Sequence, residues 1–271
     1  EHLRAFSGAQ RCVRSRSQTG KRLDLRPSGQ RHFSPMPNKD NVTRPILLIG
    51  AGRTSSSYVQ DRLQHGLGLY HTVIENDLYR DTYQVLAKSG WCFRYKYVGD
   101  EAEVKRRIIS SMRDMFSTIF ASDMPGWSMK CIWDNHDPDL LHDLFPDAHY
   151  IHLLRDPRTN IPSMMERLDY GENYGCKAYV EGNKNALQFE KFGDRYIRIR
   201  QEDFVDSRSE TWAKICAFLG TPFVDGVWER ELNASQSTQG KVGEKRSHDR
   251  WTWQRLPEDV KAMAQSLGYT E

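Results

Sequence analysis

Long apolar runs are missing from this chain of 271 residues, and no stretch approaches the roughly 18 consecutive apolar residues of a membrane-spanning helix. Cysteine is scarce: the five cysteines are an odd number without a C-x-x-C pair, which favours reduced thiols in a reducing compartment. Hydrophobic residues still make up 38% of the chain, enough to fill a core. The length therefore suits one α/β domain with a tail.

Acidic residues are few at the N-terminus, where residues 1–40 hold nine Lys/Arg against three Asp/Glu. Residues 1–43 also lack hydrophobic periodicity, so they cannot bury enough surface to offset their ordering entropy. We expect a disordered basic arm over 1–43 and a single α/β domain over 44–271. The arm is rich in Arg and Ser, as transit peptides are. We therefore expect a cytoplasmic protein, or an organellar one if the arm is a targeting segment.

The charge of the folded part differs from that of the arm. The arm contributes +6 over residues 1–40 and the whole chain carries +3, so the remaining 231 residues sum to −3. The basic pI of the chain thus comes from the arm and says little about the folded part. We expect no nucleic-acid partner and no membrane partner for this protein.

Short apolar runs typical of buried strands alternate with stretches of helical periodicity. The predicted strands are 46–49, 70–74, 91–98, 129–133, 150–154 and 196–199. The predicted helices are 56–66, 101–120, 159–168, 177–191, 209–219 and 257–266. This alternation predicts an α/β fold of three layers, in which a parallel sheet is flanked by helices.

A turn of small and hydroxyl-bearing residues joins the first predicted strand to the first predicted helix. It reads Ile-Gly-Ala-Gly-Arg-Thr-Ser-Ser-Ser-Tyr over residues 49–58. Such a turn points backbone N–H groups at one spot, where the hydroxyls of residues 54–57 add donors and Arg53 adds a positive charge. The segment therefore predicts a phosphate-binding loop. The simpler alternative is a serine-rich helix N-cap.

The loop lacks the ATP-type signature G-x-x-x-x-G-K-[ST]. The later strand at 150–154 is followed by Arg155, where a nucleoside triphosphatase would place a carboxylate that holds Mg²⁺. A cation at that position favours binding of phosphate without a metal, and we expect no metal cofactor. Arg155 and Ser163, on the next predicted helix, can face the same phosphate. The simpler alternative is a surface arginine that pairs with Asp156.

The loop resembles the phosphosulfate loop of the sulfotransferases that use 3′-phosphoadenosine 5′-phosphosulfate (PAPS), a P-loop-like superfamily. The resemblance implies a sulfotransferase architecture with PAPS as the sulfuryl donor. It also implies that Tyr58 stacks on adenine, and that the 5′-phosphosulfate is bound by Gly52, Arg53, Thr54, Ser55, Ser56 and Ser57. Ser55 stands where the family has glycine, so its backbone must avoid a positive φ or accept the cost of one.

Residues 145–163 resemble the second family signature, a strand that ends in Arg and is followed by a Ser eight residues later. They read Phe-Pro-Asp-Ala-His-Tyr-Ile-His-Leu-Leu-Arg-Asp-Pro-Arg-Thr-Asn-Ile-Pro-Ser. The resemblance implies that Arg155 and Ser163 clamp the 3′-phosphate of PAPS. The basic segment 240–251 resembles the loop with which family members cover the nucleotide, although it also fits a solvated loop. As a covering loop it would supply 3′-phosphate contacts from Lys241, Lys245 and Arg246.

Four residues are candidates for catalysis. Arg53 and Lys130 would stabilise the negative charge that develops on the leaving nucleotide. Glu75 and His136 are rival general bases, because the resemblance places a catalytic Glu after the second strand or a His soon after Lys130.

The predicted function is transfer of a sulfuryl group from PAPS to a hydroxyl or amine of a small-molecule acceptor, or of a carbohydrate or peptide. A metal-dependent kinase-like transferase and a non-catalytic nucleotide-binding module are the alternatives.

Overall fold

The computed structural model describes residues 44–73, 82, 100–120, 124, 126–132, 137–168, 171–224 and 251–271. Within these ranges five parallel strands form one sheet, in the order β2-β3-β1-β4-β5. The strands are β1 Ile46–Gly50, β2 Tyr70–Val73, β3 Gly126–Ile132, β4 His149–Leu154 and β5 Tyr196–Arg200. The predicted parallel sheet is therefore confirmed.

Helices cover both faces of this sheet and its carboxyl end. They are α1 Ser56–Asp61 with a π-helical turn at Arg62–Gly66, α2 Glu101–Ile119, α3 Pro138–Leu144, α4 Pro157–Leu168, α5 Glu172–Leu187 with a 3₁₀ turn at Gln188–Arg195, α6 Asp203–Asp206, α7 Arg208–Leu219, and α8 Glu258–Ser266 after a 3₁₀ turn at Trp253–Arg255. No helix of the described ranges is long and apolar enough to cross a membrane.

The central strand β1 explains the two main cores. It pairs with β3 on one side and with β4 on the other, and every residue of β1 and β4 is buried. Successive side chains of a strand point to opposite faces. Leu47 and Ile49 thus pack in the cluster formed with α2 and α3, while Ile46 and Leu48 pack in the cluster formed with α1 and α7. The continuous apolar run of β1 follows from burial on both faces.

A third apolar cluster lies at the carboxyl end of the sheet. Ala51, just after β1, and Leu154, the last residue of β4, belong to it. They pack with residues of α4, α5 and α8, including Tyr179 on α5 and Val260 on α8. This cluster surrounds the place where the predicted phosphate loop leaves the sheet.

Most predicted elements are found with small shifts at their ends. β3 begins at Gly126 rather than at 129, because the N–H of Gly126 bonds to Leu69 O and extends the pairing with β2. The short helix α3 was not predicted from the sequence; Asp137 caps it by accepting from two backbone N–H groups. The strand predicted at 91–98 and the arm predicted at 1–43 lie outside the described residues.

Candidate functional site

The predicted phosphate loop lies at the carboxyl end of the central strand, between Gly50 of β1 and Ser56 of α1. From β1 the chain runs to β2 on one flank of the sheet, and after β3 it crosses to β4 on the other side of β1. Ligands of open α/β sheets bind outside the carboxyl ends of the strands, where the winding reverses in this way. The loop therefore lies where open α/β sheets commonly bind their ligands.

The backbone of the loop is strained at two residues. Arg53 has φ 63° and Ser55 has φ 68°, and among the described residues these are the only non-glycine residues with positive φ. Each such residue costs on the order of 1 kcal/mol, and strain of this kind concentrates at functional sites. Ser55 thus accepts the cost that glycine would avoid. Left-handed residues within a turn make consecutive N–H groups converge, which forms an anion-binding nest.

Three successive carbonyl oxygens of the loop each accept a hydrogen bond from a side chain. The pairs are Ala51 O with Thr54 Oγ1 at 3.1 Å, Gly52 O with Asn160 Nδ2 at 2.9 Å, and Arg53 O with Arg155 Nη1 at 3.0 Å. In a trans peptide the N–H points opposite to the C=O of the same unit. The N–H groups of residues 52–54 therefore point away from these side chains, in fixed directions.

Lys130 brings a second positive charge to the loop. Its position on β3 places it on the α1 side of the sheet, and Nζ donates to Ser57 Oγ at 2.8 Å. Ser57 belongs to the first turn of α1, where the helix dipole is positive and a cation is ordinarily unfavourable. An anion at this place would offset both the ammonium and the dipole, as expected for a phosphate or sulfate site.

Arg155 follows β4 and contacts the loop directly. Its Nε donates to Thr159 Oγ1 at 3.0 Å, while Nη1 donates to the carbonyl of Arg53. Burial lowers the pKa of Arg155, a nearby carboxylate of Glu202 raises it, and the charge of Arg53 lowers it further. Because a buried guanidinium keeps its charge, this end of the sheet holds a positive charge aimed at the loop.

Asp156 raises the pKa of Arg155 electrostatically, but its hydrogen bonds go to another residue. The carboxylate of Asp156 instead binds Arg158, whose Nη2 lies 2.6 Å from Asp156 Oδ2. Ser163 is half-buried on α4, and the hydroxyl that Arg155 contacts belongs to Thr159, one turn earlier. The shared binding of a 3′-phosphate by Arg155 and Ser163 stays a prediction.

Tyr58 packs between α1 and α7. Its side chain is 6% exposed, and its ring centroid lies 5.5 Å from that of Phe204 and 6.1 Å from that of Trp212. The hydroxyl of Tyr58 also accepts from Trp212 Nε1 at 3.3 Å. The ring therefore packs in the core between α1 and α7, and stacking of Tyr58 on adenine stays a prediction.

Thr159 and Asn160 were missed in the sequence, although each holds a part of the loop. Asn160 is fully buried and bonds to Gly52 O, and Thr159 fixes the guanidinium of Arg155. Both lie in the first turn of α4, directly after the Arg-Asp-Pro segment that drew attention to Arg155. Polar residues at the start of a helix that follows such a segment were the available signal.

Five predicted site residues lie outside the described residues. They are Glu75, His136, Lys241, Lys245 and Arg246. Their roles stay predictions. Within the described ranges, no cluster of three or more His, Cys, Asp and Glu side chains could hold a metal ion.

The strand order and the loop after the central strand define a P-loop-like α/β protein. A family model described as the sulfotransferase family matches residues 45–225, well over half of the chain. The chain belongs to the sulfotransferase family. The matched region contains the loop, Lys130 and Arg155.

The chain is similar to several solved structures, and the first of these supports this fold. The sulfotransferase domain of the Synechococcus PCC 7002 olefin synthase is 20% identical with a TM-score of 0.59, over 84% of this chain and 95% of that domain. The sulfotransferase domain of the curacin biosynthetic pathway is 16% identical with a TM-score of 0.48, over 83% and 97%. Retinol dehydratase in complex with androsterone and the inactive cofactor PAP is 11% identical with a TM-score of 0.43, over 69% and 62%. A search of the curated proteins finds no match.

Proposed function

We propose that this protein transfers a sulfuryl group from PAPS to a hydroxyl or amine of a small-molecule acceptor. The observation that carries the proposal is the phosphate loop itself. Three of its carbonyl oxygens are bound by side chains, which fixes the directions of the N–H groups of residues 52–54. Arg155 bonds to the loop and Lys130 to the first turn of α1, and the charge of Arg53 acts on Arg155. Membership of the sulfotransferase family supports the nature of the transferred group.

We assign the 5′-phosphosulfate of PAPS to the first sequence signature, the loop, and the 3′-phosphate to the second signature around Arg155. The 5′-phosphosulfate binds to the N–H groups of residues 52–54 and to the hydroxyls of Ser56 and Ser57. The 3′-phosphate binds to Arg155, with Ser163 as the second donor and the basic residues of 240–251 as further contacts. Bidentate binding by an arginine suits a phosphate, because the planar guanidinium matches two of its oxygens.

Sulfuryl transfer is an in-line displacement in which the acceptor oxygen or nitrogen forms a bond to sulfur as the bond to the bridging oxygen breaks. Negative charge develops on that bridging oxygen of the leaving nucleotide. Lys130, which lies 2.8 Å from the Ser57 hydroxyl, and Arg53 are the cations beside the loop that would stabilise this charge. Fixed charges of this kind lower the barrier without reorganisation during the reaction.

The acceptor also has to lose a proton, which requires a general base. Glu75 and His136 are the two proposed bases. Glu75 is ranked first because it comes two residues after the end of β2 in the sequence, and ligands of parallel sheets collect at the carboxyl ends of strands. Histidine has the more suitable ordinary pKa near neutral pH. Turnover of Glu75→Gln and His136→Asn at saturating PAPS would separate them, since the base should lose about 10²–10⁴-fold in rate with nucleotide binding intact.

The donor is tested by thermal shift with PAP, the desulfated product, in parallel with ATP and Mg²⁺. We expect PAP to stabilise the protein, by about 2.7 kcal/mol at 100 times its dissociation constant. Transfer from labelled PAPS to a panel of phenols and amines then tests turnover. Stabilisation by ATP·Mg²⁺ without stabilisation by PAP would contradict the proposal, and PAP binding without transfer to any acceptor would favour a non-catalytic module.

A further inference from the structure

A fully buried histidine lies behind the phosphate loop. His152 is 0% exposed on β4, and both of its ring nitrogens have partners. Nδ1 lies 2.7 Å from the hydroxyl of Tyr196 on β5, and Nε2 lies 3.0 Å from Oδ1 of Asn183 on α5. The imidazole therefore joins three elements, and both of its polar nitrogens are satisfied, as burial requires.

The direction of these hydrogen bonds can be assigned along the chain of partners. Asn183 uses Nδ2 to donate to Tyr179 O at 2.9 Å, so its Oδ1 accepts from His152 Nε2. Nδ1 then accepts from the Tyr196 hydroxyl, whose oxygen accepts from Arg198 Nε at 3.3 Å. Burial lowers the pKa of His152 to about 4, which keeps the imidazole neutral near pH 7 with one donor and one acceptor.

The His152 ring and helix α5 enclose the first two residues of the loop. A Cβ on Gly50 would lie 3.1 Å from Cδ2 of His152, so the ring is against the Gly50 backbone. A Cβ on Gly182 would lie 2.9 Å from Cα and 3.2 Å from N of Ala51, so α5 is against Ala51. Asn183 is the next residue of α5. The hydrogen bond between His152 and Asn183 therefore joins β4 to α5, and the backbone of Gly50 and Ala51 lies between the His152 ring and α5.

We infer that His152 is a positioning residue for the phosphate loop. Its hydrogen bond to Asn183 fixes the separation between β4 and α5, and that separation holds the Gly50–Ala51 backbone from which the loop leaves the sheet. A shift there would redirect the N–H groups of residues 52–54. The inference deepens the proposed function and rests on it wherever PAP is the probe.

The test compares two histidines of the same strand. His152→Phe removes both nitrogens but keeps a flat ring, and His152→Gln keeps an amide N–H that can reach Asn183 in place of Nε2. His149→Phe is the matched control, because His149 is also buried but lies at the opposite end of β4, against Phe218. PAP affinity is measured by calorimetry at a temperature where circular dichroism shows every variant folded.

We expect His152→Phe to weaken PAP about tenfold, the effect of one supporting hydrogen bond, and His152→Gln to recover most of that loss. His149→Phe should leave PAP affinity unchanged, because it replaces a ring at the far end of β4 whose buried Nδ1 has no hydrogen-bond partner among the described residues. Hydrogen exchange without any ligand gives a second readout. Peptides that span residues 50–58 should exchange faster in His152→Phe than in the wild type, and at the wild-type rate in His149→Phe.

Equal PAP affinity and equal loop exchange in the two phenylalanine variants would overturn the inference and leave His152 a core residue. If His152→Phe does not fold, Asn183→Leu removes the acceptor with a side chain of similar volume and is judged by the same two readouts. Absence of PAP binding by the wild type would instead count against the proposed function. Loop exchange would still decide the role of His152 in that case.

Discussion

The two ends of the central sheet are held together by different interactions. At the amino end, aromatic rings dominate: His149 packs edge-on against Phe218, and Tyr150 lies 4.9 Å from Phe189 between ring centroids. At the carboxyl end, side chains bond to backbone carbonyls and two non-glycine residues have positive φ. The aromatic packing at the amino end stabilises the fold. The hydrogen bonds and positive φ angles at the carboxyl end keep the loop backbone strained and fix the directions of its N–H donors. Ligand binding should therefore respond to substitutions at the carboxyl end much more than to substitutions at the amino end.

The largest expected effect is on nucleotide affinity, from Arg155→Ala at the carboxyl end. Loss of a charge-assisted contact with the 3′-phosphate should weaken PAP by about 1.5–3 kcal/mol, and AMP, which lacks that phosphate, by much less. Arg158→Ala is the control, because Arg158 pairs with Asp156 and lies over the Trp253 ring instead of contacting the loop. Calorimetric titration of both nucleotides measures the difference. Equal losses for PAP and AMP would assign Arg155 to the 5′ end or to stability.

An effect that is smaller for each pH unit is expected at the amino end, in the pH dependence of stability. Burial, with the charges of Arg44 and Arg195, lowers the pKa of His149 from 6.5 to about 4 in the folded protein. Between these values the unfolded chain binds the extra proton, so the free energy of unfolding falls as pH falls. The contribution of His149 is complete above pH 6.5 and is lost as pH falls towards 4, with a slope of about 1.4 kcal/mol per pH unit.

Urea unfolding at several pH values measures this slope. His149→Phe should remove its share of the slope between pH 4 and 6.5 and leave that of His152, whose pKa burial also lowers to about 4, while PAP affinity at pH 7.5 stays at the wild-type value. An unchanged slope would show that His149 titrates normally in the folded state. A change in PAP affinity would contradict the expectation that the amino end of the sheet does not affect ligand binding.

The smallest effect is expected from Ser55→Gly in the loop. Relief of left-handed strain of about 1–2 kcal/mol should outweigh the extra unfolded-state entropy of glycine, about 0.5–1 kcal/mol. The variant should therefore unfold at a slightly higher urea concentration than the wild type. Ser56→Gly, one residue on and inside α1, gains no such relief and should be less stable than the wild type. Destabilisation by both changes would mean that Ser55 has another stabilising role.

The sequence was informative where a pattern is local. The apolar runs of β1 and β4, the turn after β1 and the arginine after β4 each depend on neighbours in the chain, and the structure has all of them. The burial of Tyr58 could not be predicted, because a helix that begins with consecutive serines does not reveal which side faces the core. Asn160 was missed because its partner, Gly52 O, is 108 residues away and only the folded sheet brings them together.

The bonds to the loop carbonyls also bear on how quickly a nucleotide can be captured. Because Thr54, Asn160 and Arg155 already hold the loop, an arriving anion meets donors whose directions were set when the chain folded. Binding to such a preorganised loop avoids the entropic penalty of ordering it. The association rate at this loop should then follow diffusion and the attraction between opposite charges, and it should slow as salt screens that attraction.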